Sequence, residues 1–235
     1  MKPAILKKLL DERAENHPVA LVTRIDDGAQ CVVTPGESLG ELELTAETLA
    51  EVRRHLDEDS SGLIEGGYFV HVHNPALRLI IVGAVHIAQA LAPMAAMAGY
   101  QVVIVDPRRA FATDERFPGI SLDDRWPDEA LEALKPNRRT AIVTLTHDPK
   151  LDDPALIVAL KSDAFYIGCL GSRKTHAKRL ERLTEAGFTE MDFVRLRGPL
   201  GLNIGAVTPA EIAISALAQI TETLRQQPER EAKAA

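Results

Sequence analysis

One stretch of the chain carries the residues best suited to bind an anion. It leaves an apolar run through Gly168 and Gly171, after which Ser172, Arg173 and Lys174 open a predicted helix. Unpaired backbone amides at the start of a helix, with two cations beside them, bind phosphate groups. The stretch is not a Walker A loop, because the Gly-x-x-x-x-Gly-Lys-Ser/Thr spacing is absent. The alternative, favoured for the later basic residues of the run, is an amphipathic helix with solvated side chains.

A second stretch predicts the turn of a dinucleotide-binding fold. The sequence Leu-Ile-Ile-Val-Gly-Ala-Val-His-Ile-Ala at 79–88 outlines a strand, a glycine turn and a helix. Gly83 occupies the first fingerprint position and Ala88 is accepted at the third, but Val85 puts a branched side chain where the backbone normally approaches a pyrophosphate. This argues against NAD(P) binding in its usual pose. His86 is either an anion contact or a capped first-turn histidine.

Acidic and basic residues end the next apolar run. Asp106 comes about 20 residues after the glycine turn, the spacing at which an acidic side chain binds a ribose hydroxyl. Alternatively, it caps the turn before Pro107. Arg108 is a candidate phosphate contact, although Arg108 and Arg109 also fit a solvated surface pair.

A third apolar run ends in Thr146, His147 and Asp148. A histidine beside hydroxyl and carboxylate groups is suited to proton transfer or to metal binding. The sequence offers no second histidine at metal spacing and no third ligand. We therefore predict a hydrogen-bonding role for these residues, with no metal site and no catalytic set.

A glycine-rich loop at 198–205 precedes a helix whose start is marked by Thr208 and Glu211, a capping box. Several glycines ahead of a capped helix indicate a close approach of the backbone to a ligand or to a partner protomer. Gly201 and Asn203 of this loop are therefore included among the candidate binding residues.

The elements that must position these residues alternate between strands and helices. Apolar runs predict strands at 79–82, 101–105, 140–145 and 164–169, and helices fit at 85–98, 127–134, 153–160, 172–186 and 209–224. This order predicts an α/β fold with a doubly wound, parallel, Rossmann-like sheet, whose ligand crevice lies at the carboxyl ends of the strands.

Two domains are predicted, a small α+β domain at 1–75 and the Rossmann-like domain at 76–235. The first is expected to contain helices at 3–16 and 45–56 and strands at 19–25, 30–34, 63–64 and 68–73, with a hinge at Asn74 and Pro75. The charged, alanine-rich tail at 226–235 is expected to fray.

Composition argues against several classes of function. The 235 residues are 46% hydrophobic and only 4% aromatic, and their formal net charge is −7 without a basic stripe, which argues against nucleic-acid binding. Cys31 and Cys169 form neither a disulfide framework nor a zinc pattern. The uncharged stretch 79–100 is long enough for a membrane span, but its Pro93 and strand-like flank favour a buried strand and helix. With no signal peptide evident, we expect a cytoplasmic protein without membrane contact.

Five motifs occur in order along the chain. They are the sequence at 79–88, Asp-Pro-Arg-x-x-Phe-Ala-Thr-x-Glu-Arg-Phe-Pro at 106–118, Leu-Thr-His-Asp-Pro-x-x-Asp-Asp-Pro at 145–154, Tyr-Ile-Gly-x-Leu-Gly-Ser-Arg-Lys-Thr at 166–175, and Gly-Pro-x-Gly-Leu-x-Ile-Gly at 198–205. Together they resemble the xanthine dehydrogenase accessory protein family, XdhC/CoxI. The resemblance covers residues 77–225.

The resemblance implies a Rossmann domain that is not used as a dehydrogenase. It implies a chaperone that binds and protects the molybdenum cofactor, a molybdopterin, and assists its insertion into a molybdenum hydroxylase of the xanthine dehydrogenase type. It also implies a homodimer, with a cysteine desulfurase as a further partner. The expected cofactor-binding residues are Gly83, His86, Asp106, Arg108, Thr146, His147, Asp148, Gly168, Gly171, Ser172, Arg173, Lys174, Gly201 and Asn203.

Two other functions stay open on the residues alone. One is an NAD(P)-dependent oxidoreductase with His147 as general acid or base, and the other is a nucleotide-sensing Rossmann protein without chemistry. The chain also departs from the family pattern at three places. Val85 replaces a fingerprint glycine, Asn203 replaces an aspartate, and the Gly-Gly-Cys-Leu-Glu motif survives only as Ile-Glu-Gly-Gly at 64–67, without its cysteine.

Overall fold

The structure, a computed structural model, describes residues 1–231. The chain divides into two compact units, Met1–Pro75 and a second unit that begins at Ala76. The predicted tail at 226–235 lies partly outside the described residues, and within them the last helix continues to Glu231.

The first unit is an antiparallel sheet with two helices. Its elements are α1 (Pro3–Ala14), β1 (Val19–Arg24), β2 (Gln30–Val33), β3 (Ser38–Gly40), α2 (Ala46–Glu58), β4 (Gly62–Ile64) and β5 (Tyr68–His73), with the strand order β3-β2-β1-β5-β4. Thr45 caps α2 by accepting a hydrogen bond from the Thr48 amide. Alternate residues of β1 pack to one side, where Val22 contacts a core that includes Val52 of α2.

The second unit is a parallel sheet with helices on both faces. Its elements are β6 (Arg78–Val82), α3 (His86–Met97), β7 (Gln101–Val105), β8 (Ser121–Asp123), α4 (Pro127–Leu134), β9 (Thr140–Thr144), α5 (Pro149–Lys161), β10 (Tyr166–Cys169), α6 (Arg173–Glu185), a 3₁₀ turn (Asp192–Arg195), β11 (Leu196–Arg197) and α7 (Pro209–Glu231). The strand order is β11-β10-β9-β6-β7-β8, and every pair is parallel.

Both faces of this sheet are buried, as the continuous apolar runs predict. Leu79 and Ile81 of β6 pack with α3 and α7 on one face, and Ile80 and Val82 pack with α4, α5 and α6 on the other. The Rossmann-like fold predicted from the sequence is confirmed. The chain crosses from one side of β6 to the other between β8 and β9, so the switch point lies at the carboxyl ends of β6 and β9.

Several details differ from the sequence prediction. The edge strands β3, β8 and β11 were not predicted, since runs of two or three residues carry too little periodicity. Helix α5 begins at Pro149 rather than at residue 153, because Asp148 caps it by accepting a hydrogen bond from the Lys150 amide. The earlier start places Asp152 in the first turn of the helix.

Gly168 lies inside β10, and its lack of a side chain is required by packing. An added Cβ would lie 2.5 Å from Leu200 Cδ1 and 2.7 Å from the Tyr166 ring. We predict that Gly168→Ala lowers the free energy of unfolding by about 3 kcal/mol through overpacking. Gly99→Ala is the control, because its Cβ meets nothing within 4 Å and only its positive φ opposes alanine, which costs about 1 kcal/mol.

The measurement is urea unfolding followed by the fluorescence of Trp126, the single tryptophan, which belongs to the second unit. If both variants lose the same free energy of unfolding, the close contacts of Gly168 with Leu200 and Tyr166 do not exclude a side chain at position 168.

Candidate functional site

The loops that follow β6 and β9 touch at the switch point. Gly83 has φ +111°, and a Cβ at this position would lie 2.6 Å from Thr146 Cγ2 and 3.3 Å from the Thr146 amide nitrogen. The first fingerprint glycine is therefore required by contact between two loops, whatever ligand binds nearby.

Asp106, at the end of β7, holds the glycine turn in place. One carboxylate oxygen accepts hydrogen bonds from the Ala84 amide at 2.8 Å and from Arg108 Nη2 at 2.7 Å, and the other accepts from the amide and Nε of Arg108 at 3.0 and 2.9 Å. The residue is only 1% exposed. All four acceptor positions are filled, so Asp106 acts here as a brace for the turn and for Arg108.

Burial by itself would raise the pKa of Asp106, but the hydrogen bonds from Arg108 and from the Ala84 and Arg108 amides outweigh it and lower the pKa. The pKa of Arg108 is raised, chiefly by its hydrogen bond to Asp106 and further by the charges of Asp148 and Asp152. Arg108 thus lies within electrostatic range of the loop after β9.

The start of α3 has no side-chain cap. Val85 is its N-terminal cap residue and provides no side-chain hydrogen bond, and His86 is exposed in the first turn. Arg116, which the sequence analysis did not single out, donates to the Ala84 carbonyl at 2.8 Å and to Gln89 Oε1 at 3.1 Å. It fastens the loop after β7 to this helix.

The loop after β9 is held by its own side chains. Thr146 Oγ1 accepts a hydrogen bond from the Asp148 amide at 3.1 Å and donates to Asp152 Oδ1 at 2.6 Å. His147 is exposed and has φ +59°, a left-handed conformation that disfavours residues other than glycine and asparagine. His147 also lines a cavity that lies against α6.

Arg179 differs from the sequence prediction of solvated side chains for the later basic residues of α6. It is 2% exposed and faces Asp152, itself 2% exposed, with 3.8 Å between Nη2 and Oδ2. Its Nη2 donates to the Leu170 carbonyl at 2.9 Å. The signal was present in the sequence, because position 179 lies four residues before the buried Leu183 on the same helical face.

The start of α6 exposes the predicted cations. Ser172 caps the helix by accepting from the Thr175 amide at 3.1 Å, while Arg173 and Lys174 are exposed. Gly171, with φ +144°, turns the chain into this cap. A cavity of about 330 Å³ lies against the helix and is lined by His147, Pro149, Asp152, Lys174, Thr175, Lys178, Arg179 and Arg182.

Two of the predicted ligand glycines have packing roles. Gly168 is enclosed by Leu200 and Tyr166, and a Cβ on Gly201 would lie 2.1 Å from Ser215 Oγ of α7. The Gly201 amide donates to Gln219 Oε1 at 3.0 Å. Asn203 is exposed on the same loop. The fold accounts for both glycines, so we leave Gly168 and Gly201 out of the proposed site.

Comparison with known proteins decides the family. A family model for the XdhC Rossmann domain matches residues 79–220. This chain belongs to that family. It is 32% identical to the molybdenum cofactor insertion chaperone PaoD of Escherichia coli (strain K12) over 66% of this chain and 42% of that protein. It is 31% identical to a protein of Bacillus subtilis (strain 168) named as a probable xanthine dehydrogenase subunit, over 80% of this chain and 53% of that protein.

A third relative, the uncharacterized protein YqeB of Escherichia coli (strain K12), is 30% identical over 96% of this chain and 44% of that protein. This XdhC chain therefore spans about half the length of these curated relatives. A crystal structure described as a xanthine dehydrogenase from Bacillus halodurans superimposes with a TM-score of 0.69 at 26% identity, covering 94% of this chain and 64% of that one. The resemblance seen in the five motifs is confirmed.

The structure shows where this XdhC chain departs from the family pattern, at position 85, at position 203 and in the segment 64–67. Val85 is the N-terminal cap residue of α3, Asn203 is exposed after the Gly198-Pro199 bond, and Gly66 and Gly67 form the left-handed turn between β4 and β5.

Both cysteines are buried and free, and burial raises the pKa of Cys31 to about 11 and that of Cys169 to about 12.

Metal-binding clusters and membrane-spanning helices are both lacking within residues 1–231 of this XdhC chain. These residues contain no group of three or more histidine, cysteine, aspartate or glutamate side chains arranged to hold a metal ion. None of the described helices combines the length and the apolar character that crossing a bilayer requires.

Because the pKa of Asp106 is lowered, the contribution of this residue to the free energy of unfolding should depend on pH. A carboxylate whose folded pKa lies below its unfolded value, ordinarily about 3.9, stabilises the fold above that value, and the effect is lost as the pH falls through the folded pKa. We expect Asp106→Asn to lower the free energy of unfolding by about 3 kcal/mol at pH 7, because it leaves Arg108 without its carboxylate. The difference from the parent protein should shrink as the pH is lowered below about 4.

Urea unfolding at a series of pH values measures this, with Asp114→Asn as the control because Asp114 is exposed. If the loss of unfolding free energy in Asp106→Asn stays constant down to acidic pH, the ionised carboxylate of Asp106 does not stabilise the turn.

Proposed function

We propose that this protein binds the molybdenum cofactor, protects it and assists its insertion into a molybdenum hydroxylase of the xanthine dehydrogenase type. The observation that carries the proposal is the convergence of polar strand ends at the switch point of a Rossmann sheet, in a chain of the XdhC family. Two relatives bear names that refer to cofactor insertion and to xanthine dehydrogenase, which supports the same choice.

The side chains suit such a cargo. Molybdopterin is a flat, anionic molecule with a phosphate group, and it needs cations for the phosphate and hydrogen bonds for the ring. Arg173 and Lys174 supply exposed positive charge at the capped start of α6. His147 and Asp148 lie on the loop after β9 and are proposed to orient the ring. His86 at the start of α3 and Arg108 after β7 are proposed as further contacts.

The remaining residues position these contacts. Asp106 holds Arg108 and the glycine turn, and Thr146 holds the loop that carries His147. In this proposal the protein forms and breaks no bond of the cofactor. A homodimer, a cytoplasmic site of action and a cysteine desulfurase as a second partner belong to the same proposal and rest on the family alone.

A first test separates the proposal from a dehydrogenase. The protein, co-expressed with the enzymes of cofactor synthesis, should copurify with a pterin, detected by the fluorescence of the oxidised pterin and by mass spectrometry. NAD and NADP should show no micromolar binding in calorimetry, because Val85 occupies the pyrophosphate turn. Micromolar nucleotide binding with hydride transfer, and no pterin, would favour the oxidoreductase; nucleotide binding without hydride transfer would favour a sensor.

His147 allows binding to be tested apart from stability. His147→Gly removes the imidazole and also relieves a left-handed backbone, so the variant should be as stable as the parent protein or about 1 kcal/mol more stable. Pterin retention should nevertheless fall about tenfold, the equivalent of one lost hydrogen bond to a charged group.

Lys135→Gly is the matched control. Lys135 has φ +47° and follows α4, and its carbonyl accepts a hydrogen bond from Arg78, the first residue of β6. Its replacement therefore relieves similar strain at the amino ends of the strands, away from the crevice at their carboxyl ends. If His147→Gly retains as much pterin as Lys135→Gly, His147 does not contact the cofactor.

A further inference from the structure

The cavity beside α6 has features that the family resemblance does not assign. It lies between the start of α5 and one face of α6, and its volume of about 330 Å³ is at the lower end of the range for ligand pockets, roughly 300–1,000 Å³. Lys178, Arg179, Arg182 and Asp152 line it, and none of these four was among the residues predicted to bind the cofactor.

Two of the lining side chains are buried with unsatisfied polar atoms. Arg179 and Asp152 are each 2% exposed, yet within the described residues Arg179 Nε and Asp152 Oδ2 have no hydrogen-bond partner. The 3.8 Å between Arg179 Nη2 and Asp152 Oδ2 is too long for a hydrogen bond. Buried polar atoms almost always have partners, so a donor and an acceptor left over in one cavity wall point to a ligand with complementary groups.

The cavity also carries an excess of positive charge. Arg179 is balanced by Asp152, and Arg182 is balanced by Asp153, which accepts from its Nε and Nη2 at 2.5 and 2.9 Å. Lys174 and Lys178 remain, and in the part of the chain that the structure describes neither forms an ion pair. Two uncompensated lysines match the charge of a phosphate monoester, which is close to −2 at neutral pH.

We propose that this cavity is a binding site for a phosphate-class oxyanion, held by Lys174 and Lys178 with Arg179 behind them. Asp152 Oδ2 accepts a hydrogen bond from a hydroxyl group of the ligand or from a protonated phosphate oxygen. The choice of a pterin phosphate as the natural ligand rests on the proposed function, while the oxyanion site itself does not. Free phosphate and the phosphate of the cofactor share this chemistry, and the experiment distinguishes them.

The first arm uses inorganic phosphate and all 235 residues of the chain. Binding is measured by calorimetry in a phosphate-free buffer for the parent protein, the double variant Lys174→Gln/Lys178→Gln and the control Lys150→Gln. Lys150 is an exposed lysine of α5 that does not line the cavity. We expect the double variant to bind phosphate at least about tenfold more weakly, and Lys150→Gln to bind like the parent protein. If all three proteins bind phosphate equally well, or if both variants bind it equally weakly, Lys174 and Lys178 do not form a phosphate site.

The second arm measures pterin retained after co-expression. If the double variant loses pterin and added phosphate displaces pterin from the parent protein, the cofactor phosphate occupies the site. If pterin retention is unchanged while phosphate binding falls, the site stands with free phosphate as its ligand. If no pterin binds but phosphate binding still depends on the two lysines, the proposed function fails and the oxyanion site stands.

Discussion

The contact between the ends of β6 and β9 is the constraint on which the second unit depends. Both strands lie at the centre of the sheet, and the chain leaves them toward opposite faces, through α3 and α5. The two loops can meet only because Gly83 has no side chain where Thr146 lies. Asp106 reaches across from β7 and fixes the turn through the Ala84 amide. The crevice at the carboxyl ends of β6 and β9 therefore results from the strand order and from the missing side chain of Gly83.

Charge is distributed unevenly around that crevice. On the side of α3, Asp106 neutralises Arg108, and Val85 occupies the place of a phosphate-facing glycine. On the side of α6, Lys174 and Lys178 have no acidic partner among the described residues. This distribution of charge is why we propose an anion site at the start of α6 rather than at the turn that dinucleotides use.

The buried pair of Asp152 and Arg179 supports the proposed oxyanion site, because its burial is costly. Taking both charges out of water costs several kcal/mol for each, and a separation of 3.8 Å without a hydrogen bond recovers only part of this. Burial raises the pKa of Asp152, which the hydrogen bond from Thr146 only partly offsets. Arg179 also holds the Leu170 carbonyl, so the pair connects the loops after β9 and β10.

The sequence by itself determined the fold class, the four central strands and the family, because long apolar runs and ordered motifs are local signals. It also determined which loops carry Asp106, His147 and Lys174. It missed β3, β8 and β11, which are too short for periodicity and are defined only by pairing with β2, β7 and β10. Only the tertiary structure decided that Gly168 and Gly201 serve packing and that Arg179 is buried against Asp152. Such roles depend on which atoms from distant parts of the chain occupy the same space, and no local pattern records that.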